Sequence, residues 1–340
     1  MQKVGGSSPP GSTIKNMAVK KIAVIGVGGR TGTMFAQELS SVADILGVAN
    51  DANKKITIRK EEKVLPLGCR IISDTDWLPD DFSPDIIFLA TKNPIASTLK
   101  YYYQKCKERN IFPDLVISQN GVQAGQEAIN ALREVLGSDL DKIRIVRISL
   151  FNPIDRQEKE DSIEINYSLP IKISFGVIFG NGNFSDFFQK AGFHFTEFFK
   201  EGIKDMELSK LFFNLIGIAS ASQGLSIKEG FENPESFKEE VGVLKEYIRS
   251  VKASSHQFVD FPKYPVKLLT WFIAVLPVKT PLFLRKIFAK MVSTGREGKP
   301  KDLSEINYYN GAVIVLGQES GIMTPINKII VDRVSKQIKR

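Results

Sequence analysis

Short apolar runs alternate with segments of helical spacing over the first half of the chain. Runs of strand length occur at Ile22–Ile25, Asp44–Asn50, Asp85–Ala90, Leu115–Ser118 and Ile143–Ser149. Between several of these runs, apolar residues recur every three or four positions, which predicts helices over Thr33–Ser40, Ile95–Arg109 and Gly125–Leu136. Strands that alternate with helices build parallel sheets. The pattern therefore predicts an α/β domain with a parallel sheet.

The pattern changes at about Ser149. Strand-like runs follow one another without helices up to Gly180, which predicts an antiparallel or mixed sheet that closes the first domain. A helix at Phe184–Ala191 and a strand at His194–Phe198 are expected to complete it. From Met206 onward the spacing predicts only helices, at Glu207–Ser220, Pro234–Ser254, Pro281–Val292, Leu303–Ser320 and Asn327–Lys339.

Length and composition agree with this division. The 340 residues, of which 43% are hydrophobic and 25% charged, suit a globular protein of two domains. We expect a Rossmann-type α/β domain over residues 19–203 and an all-helical domain over residues 204–340, with the boundary near Gly202–Lys204. Residues 1–18 are rich in Gly, Ser and Pro and lack the apolar segment of a signal peptide, so a disordered lead-in is expected there.

The charge and the reactive side chains exclude several classes of protein. The net charge is +8, but the basic residues are scattered, so nucleic-acid binding is not expected. Two cysteines and two histidines without ligand spacing predict neither a metal site nor a disulfide, as in a reducing cytoplasm. The most apolar late stretch, Leu268–Pro277, is too short to span a bilayer. A cytoplasmic protein that acts on a small molecule is therefore expected.

A glycine-rich loop joins the first predicted strand to the first predicted helix. Gly26 permits a tight turn, Gly28 lets the backbone approach a pyrophosphate, and the helix N-terminus offers N–H groups to the phosphates. The third position of the dinucleotide fingerprint is Thr31, and the glycine is displaced to Gly32. The residues expected to bind the cofactor are Gly26, Val27, Gly28, Gly29, Arg30 and Thr31. The alternative is an ordinary tight turn in another α/β protein.

The end of the second strand bears on the identity of the cofactor. In dinucleotide-binding folds this position contacts the adenosine ribose. Asn50 is neutral, Asp51 would favour NAD, and the nearby Lys54, Lys55 and Arg59 would favour the extra phosphate of NADP. We expect NADP(H), contacted by Asn50, with NAD as the alternative.

Several separated motifs resemble the ketopantoate (2-dehydropantoate) 2-reductase family. They are KIAVIGVGG at 21–29, TKN at 91–93, QNG at 119–121, AGF at 191–193, SKLFFN at 209–214, STGREGKPKDLSEINYYNG at 293–311 and SGIMTPIN at 320–327. The resemblance implies a Rossmann-type domain joined to a helical domain like that of 6-phosphogluconate dehydrogenase, with the active site in the cleft between them. It also implies NADPH-dependent reduction of a small 2-oxo acid, 2-dehydropantoate, to pantoate, a step of pantothenate and coenzyme A biosynthesis.

The resemblance assigns roles to residues of the helical domain. Lys210 matches the family's catalytic lysine, which would donate a proton to the developing alkoxide. Asn214 lies one turn further along the same face and matches a substrate-binding asparagine. Glu305 matches an acidic residue that orients the substrate or the reacting end of the cofactor. Without the resemblance, Lys210 and Glu305 would be read as solvated surface residues.

The resemblance also assigns three residues to the rim of the cleft. Ser293 matches a serine that donates to the substrate carboxylate. Lys92 and Asn120 match residues on the nicotinamide side of the cleft, and Asn120 is also expected to contact the substrate. By itself, the dipeptide that begins at Asn120 would indicate only a turn.

Two features depart from the family and leave the substrate open. A second asparagine followed by proline is common in the family, and Ile218 and Ala219 stand there in this chain. The segment Phe258–Phe288 is apolar and contains four prolines; it is read as a lid or pocket wall, a homodimer contact, a membrane-surface helix or buried core. The alternatives are a related dehydrogenase for a more apolar oxo acid or imine, and a non-catalytic nucleotide-sensing Rossmann protein.

Overall fold

The computed structural model describes residues 19–60, 63–277, 280–292 and 298–338, so the expected lead-in at 1–18 lies outside the described residues. The strands of the first domain are β1 (Lys20–Ile25), β2 (Ala43–Ala49), β3 (Lys55–Lys60), β4 (Lys63–Pro66), β5 (Arg70–Ser73), β6 (Ile86–Leu89), β7 (Asp114–Ile117), β8 (Ile145–Leu150), β9 (Ile154–Glu158), β10 (Ser162–Tyr167), β11 (Lys172–Phe179) and β12 (His194–Glu197). Its helices are α1 (Arg30–Leu39), α2 (Ala96–Glu108), α3 (Ala124–Leu136) and α4 (Ser185–Lys190).

The main sheet has eight strands in the order β12-β11-β8-β7-β6-β1-β2-β5. Its pairs are parallel except for the antiparallel pair of β8 and β11. Successive residues of β1 face opposite sides, since Ile22 and Val24 pack with α1 and its neighbours, whereas Ala23 and Ile25 pack with α2 and α3. Both faces of the sheet are therefore covered, as in a doubly wound fold. The predicted Rossmann-type domain is confirmed.

The consecutive strands after Ser149 do not form one sheet, which refines the prediction. β8 and β11 belong to the main sheet, whereas β9 and β10 join β3 and β4 in a four-stranded sheet of order β4-β3-β10-β9. The central pair, β3 with β10, is parallel and joins Ile56 to Ile163, residues far apart in the chain. Local periodicity carries no signal for such a pairing, which is why β3 and β4 were not predicted. The small sheet packs on α1, next to the glycine-rich loop.

In the described part of the second domain, the regular elements are all helices. Its helices are α5 (Glu201–Leu215), α6 (Ile218–Ser222), α7 (Ile227–Glu232), α8 (Pro234–Ala253), α9 (Val266–Val275), α10 (Leu282–Val292), α11 (Ile306–Glu319) and α12 (Pro325–Ile338). The helix predicted at Glu207–Ser220 is interrupted at Gly217, which has a φ of +86°. A side chain there would bring its Cβ to 2.5 Å from Cγ1 of Ile227, so glycine is required where the chain turns. No described helix is long and apolar enough to cross a membrane.

A buried ion pair joins the two domains. Nε of Arg147, on β8, lies 2.8 Å from Oε1 of Glu207, on α5, and the two side chains are 3% and 8% exposed. The same guanidinium donates to the carbonyls of Gly121 (2.9 Å) and Ile148 (3.0 Å). The pair therefore connects α5 with the main sheet and with the loop that follows β7.

We expect Arg147→Met to destabilise the protein by about 3–5 kcal/mol, because it leaves the Glu207 carboxylate buried without a counter-charge. Urea unfolding followed by circular dichroism measures this loss. Adding Glu207→Leu to the same chain removes the unpaired charge and is expected to recover part of the loss. An unchanged midpoint in the single variant would contradict the role of the pair.

Candidate active site

A cleft of about 2950 Å³ lies between the two domains at the carboxyl edge of the main sheet. The glycine-rich loop and the segments that follow β2, β6, β7 and β8 line one side of it, and α5 and the segment before α11 line the other. In doubly wound folds, ligands bind at this edge of the sheet. The geometry of the cleft therefore decides which predicted residues can act together.

The glycine-rich loop has the conformation that close approach to a phosphate needs. Gly26 and Gly28 have φ values of +93° and +98°, and the backbone N–H of Gly26 donates to the carbonyl of Val48 at 2.9 Å. A Cβ at Gly32 would lie 2.3 Å from the carbonyl oxygen of Gly26. Gly32 thus meets the need for close helix–strand packing that the fingerprint assigns to its third glycine, so the shift from Thr31 to Gly32 keeps the packing intact.

The start of α1 is suited to an anionic group. Gly29 is its N-cap, and no side chain caps the N–H groups of the first turn, which lines the cleft with Arg30 and Thr31. Such a turn binds phosphate through its N–H groups and the helix dipole. From the small sheet, Nε of Arg156 donates to the carbonyl of Gly28 at 2.9 Å and holds the loop from the other side. The loop and the helix therefore fit the pyrophosphate of a dinucleotide.

The cations near the end of β2 are partly neutralised. Asn50 and Asp51 line the cleft, as does Lys54. The Lys54 ammonium, however, pairs with Glu158 at 2.6 Å. The Arg59 guanidinium pairs with Glu164 at 2.7 Å, so it also has a partner within the protein. Arg30 and Lys63 are the exposed cations on this part of the cleft wall.

Polar atoms without partners lie where β6 and β7 end. Oγ1 of Thr91, Oδ1 of Asn93 and Oε1 of Gln119 are buried and have no hydrogen-bond partner among the described residues. Of these three residues, Thr91 and Gln119 line the cleft. Buried polar atoms are normally satisfied, so these two oxygens suit a ligand group that donates hydrogen bonds. The carboxamide N–H groups of a nicotinamide ring are donors of this kind.

Lys92 points away from this group and toward the helical domain. Its ammonium lies 2.6 Å from Oδ2 of Asp302 and 3.1 Å from Oγ of Ser304, and the pair is exposed. Burial raises the pKa of Asp302, but the hydrogen bonds from Lys92 and Ser304 outweigh it and hold this pKa at about 2. Lys92 thus spans the mouth of the cleft as part of an ion pair.

One hydrogen-bond network brings three predicted residues together. Oε1 of Glu305 accepts from the backbone N–H and the side-chain amide of Asn93, at 3.0 and 2.9 Å. Oε2 of Glu305 accepts from the Tyr309 hydroxyl at 3.1 Å. The Asn93 amide also donates to the Asn120 carbonyl at 2.9 Å, and Oδ1 of Asn120 accepts from the Asn214 amide at 3.2 Å. Glu305, Asn120 and Asn214 therefore form one connected group across the cleft.

Two members of this network, Asn93 and Tyr309, were not singled out from the sequence. Both lie inside motifs that carry the resemblance, and Tyr309 stands four residues after Glu305, one turn along the helix. Burial, followed by the charge of Glu305, raises the pKa of Tyr309 well above its ordinary value. Tyr309 thus remains a neutral donor to the carboxylate.

Lys210 lies on the wall of the cleft, one helical turn before Asn214 on α5. Its Nζ donates to the carbonyl of Leu150 at 2.5 Å and lies 4.6 Å from the centre of the Phe151 ring. A carbonyl oxygen and an aromatic face both attract a cation. The end of β8 therefore holds the ammonium group at the cleft, close to the strand edge where the ligand is expected.

A second lysine, Lys301, lies on the wall of the cleft, as Lys210 does, and was not predicted from the sequence. Its Nζ donates to the carbonyls of Asn214 and Ile216 at the C-terminus of α5, and it lies 5.5 Å from the centre of the Tyr309 ring. A lysine is favourable at a helix C-terminus because it neutralises the exposed carbonyls. The cleft therefore contains two ammonium groups on or beside α5.

The remaining predicted positions fall outside the network. Ser293 lies outside the described residues. Ile218 and Ala219 are fully buried in the core of the helical domain.

Beyond Asn214, the cleft continues between α7, α8, α9 and α10 along an apolar wall that includes Phe213, Ile216, Phe231, Leu269, Phe272, Ile273 and Phe288. The inner side of the apolar segment thus forms part of the cleft wall.

We expect Gly32→Ala to destabilise the first domain by about 1–3 kcal/mol, because the new Cβ overlaps the Gly26 carbonyl. Thermal unfolding measures this, and fluorescence titration with NADPH and with NADH should show at least tenfold weaker binding of whichever dinucleotide the unaltered protein binds. Gly311→Ala is the matched control, since a Cβ there meets only ordinary contacts within α11. Equal effects of the two substitutions would contradict the role of Gly32.

No protein-family model and no curated protein sequence matches the chain. Solved structures do. A PanE/ApbA family ketopantoate reductase from Ralstonia eutropha JMP134 aligns with a TM-score of 0.63 and 14% identity, over 91% of this chain and 95% of its own. A 2-dehydropantoate 2-reductase from Methylococcus capsulatus aligns with a TM-score of 0.62 and 16% identity, over 94% of this chain and 96% of its own. D-mandelate dehydrogenase with NADH and anilino(oxo)acetate aligns with a TM-score of 0.63 and 16% identity, over 93% of this chain and 97% of its own. The chain has the fold of the ketopantoate reductases.

Proposed function

We propose that this protein is an NADPH-dependent reductase of a small 2-oxo acid, with 2-dehydropantoate as the first candidate substrate. The observation that carries the proposal is that α5 presents Lys210 and Asn214 to the same cleft as the glycine-rich loop. Structures of similar fold include 2-dehydropantoate 2-reductases and a D-mandelate dehydrogenase with NADH and anilino(oxo)acetate. A cytoplasmic place in pantothenate synthesis follows from this candidate.

Lys210 is the proposed general acid. A bound dihydronicotinamide supplies the hydride that reaches the ketone carbon. The ammonium group of Lys210 neutralises the oxyanion that develops and donates a proton to it. When Lys210 turns to the substrate, its hydrogen bond to the Leu150 carbonyl is broken. Water can replace the amine there, because this carbonyl lies at the edge of the cleft.

The substrate carboxylate is assigned to the groups around the C-terminus of α5. The amides of Asn214 and Asn120 already contact one another at 3.2 Å and offer hydrogen-bond donors. Lys301 adds a positive charge beside them. Such an arrangement compensates a carboxylate that loses its hydration on entering the cleft.

Glu305 acts as a positioning residue in this scheme. Its carboxylate accepts three hydrogen bonds, two from Asn93 and one from Tyr309, so it fixes both of them. Asn93 in turn contacts the carbonyl of Asn120. Glu305 therefore orients the loops at the ends of β6 and β7 rather than delivering the proton.

A second candidate is the reduction of a more apolar oxo acid or imine. The wall beyond Asn214 favours it, because most of its side chains are apolar and would pack against an apolar substrate. The same cleft and the same lysine would serve both reactions. Comparing 2-dehydropantoate with phenylglyoxylate in one NADPH-oxidation assay separates the two candidates.

We expect Lys210→Ala to lower kcat by about 10²–10⁴-fold while NADPH still binds, because a general acid acts in the chemical step. The assay follows NADPH absorbance with the two oxo acids as substrates. Lys204→Ala is the matched control, since this lysine is also on α5 and also donates to a backbone carbonyl of the first domain, that of Val122 at 3.3 Å.

Near-full activity of the Lys210 variant would contradict the mechanism. NADPH binding by the wild-type protein without turnover of any oxo acid would favour the non-catalytic nucleotide sensor instead. Turnover of phenylglyoxylate but not of 2-dehydropantoate would select the second candidate.

The preference for NADPH over NADH is proposed to depend on Arg30. It is the first residue of α1 and lies exposed on the cleft wall, where a guanidinium reaches a 2′-phosphate. We expect Arg30→Ala to weaken NADPH binding about 10–100-fold and to leave NADH binding nearly unchanged. Parallel fluorescence titrations with both nucleotides measure the ratio, and an unchanged ratio would assign the preference elsewhere.

A further inference from the structure

The outer faces of α9 and α10 carry an unusual concentration of exposed apolar side chains. Six of them are between 47% and 63% exposed: Leu268, Trp271, Val275, Leu282, Phe283 and Ile287. Single exposed apolar residues are normal on a protein surface, but six within twenty positions form a patch. We call this patch the α9–α10 face.

The fold of α9 does not need this face. Its inner side is formed by Val266, Leu269, Thr270 and Ile273, which pack into the core of the helical domain or lie buried. Trp271 and Val275, one turn apart, lie on a separate side of the helix that does not line the cleft. The exposed Leu268 lies where this side meets the cleft, whose lining it joins. A helix with apolar residues on both sides is normally buried on both sides, so a second apolar surface is expected to cover the outer one.

On α10 the same arrangement is combined with positive charge. Phe288 faces inward and packs on Phe272 of α9, with ring centres 5.2 Å apart. Phe283 and Ile287 face outward, together with the exposed Lys286 and Lys290. The outer side of α10 is therefore both apolar and basic.

The surrounding sequence is basic and lacks acidic residues. Between positions 261 and 292 there are six Lys or Arg and no Asp or Glu, a formal charge of +6 against +8 for the whole chain. Lys263, shortly before α9, and Lys267, in its first turn, are also exposed. Arg285 is directed inward, where it donates to the Glu232 carbonyl at 2.8 Å. The Asp260 carboxylate accepts from the backbone N–H of Lys267 at 2.8 Å, at the start of α9. With Lys267, Lys286 and Lys290 exposed, the apolar patch still carries net positive charge.

This charge decides which partner the face fits. Two copies of the chain that met through it would bring like charges together, which opposes a dimer. A membrane surface with anionic headgroups matches both features, because the lysines meet the headgroups and the tryptophan and phenylalanine enter the interface. We propose that the α9–α10 face docks the protein on an anionic lipid surface, without crossing it.

The docking places the cleft next to the membrane. The inner sides of the same two helices contribute Leu269, Phe272 and Phe288 to the apolar wall of the cleft. In the docked protein, α9 and α10 therefore lie between the lipid surface and the part of the cleft that contains Asn214.

Vesicle binding tests the proposal with the full chain. We expect sedimentation with vesicles of phosphatidylcholine and phosphatidylglycerol, little with phosphatidylcholine alone, and loss of binding at high salt. Each basic residue near an anionic surface strengthens binding about fivefold, so Lys286→Gln with Lys290→Gln should weaken it about 25-fold. Trp271→Gln with Phe283→Gln should weaken it at least about tenfold.

A matched control and an internal probe make the test specific. Lys328→Gln with Ile329→Gln removes an exposed lysine and an exposed apolar residue from α12 and should leave vesicle binding unchanged. The chain has two tryptophans, of which Trp77 is buried and Trp271 is exposed. Brominated lipids should therefore quench the fluorescence of Trp271.

Three results would overturn the proposal. The first is equal binding to anionic and neutral vesicles or to neither. The second is an equal effect of the α12 control and the α9–α10 variants. The third is a concentration-dependent dimer in sedimentation equilibrium that Trp271→Gln with Phe283→Gln abolishes, which would assign the face to a second copy of the chain.

Discussion

The buried ion pair between Arg147 and Glu207 is the constraint on which the geometry of the cleft depends. It joins β8, the third strand from the β12 edge of the main sheet, to α5, the helix that carries Lys210 and Asn214. The same guanidinium holds the Gly121 carbonyl, in the loop that contributes Asn120. Because neither charge can be left unpaired in the interior, α5 cannot slide along the sheet without a large cost. The relative position of the two walls of the cleft follows from this pair.

Most of the fold is predictable because its signals are local. The buried strands β1, β2, β6 and β7 are short apolar runs, and α8 begins where Asn233 caps the N–H groups of Glu235 and Ser236. The small sheet was missed because its central pair joins residues more than a hundred positions apart. The break in the helix after Leu215 was also missed, since the need for Gly217 arises only from contact with Ile227.

The candidate site also has a part that local sequence predicts and a part that it does not. The glycine-rich loop is predictable because each glycine has a steric reason. This includes Gly32, which provides the close packing that Thr31 does not. Lys301 and Asn93 could not be singled out by type or spacing, because their roles depend on partners in distant segments. Lys301 is significant only because it meets the end of α5, and Asn93 only because it faces Glu305 across the cleft.

The central claim is that a hydride passes, within this cleft, from a nicotinamide bound at the first domain to an oxo acid held by α5. Transfer of deuterium from the cofactor to the product tests this claim most directly. The protein is incubated with NADPH deuterated at one face of C4 and with 2-dehydropantoate or phenylglyoxylate, and the product is analysed by mass spectrometry. The account predicts a hydroxy acid with one deuterium on C2 from one of the two C4 faces only. Binding of the labelled nucleotide without any deuterium in a product would contradict it.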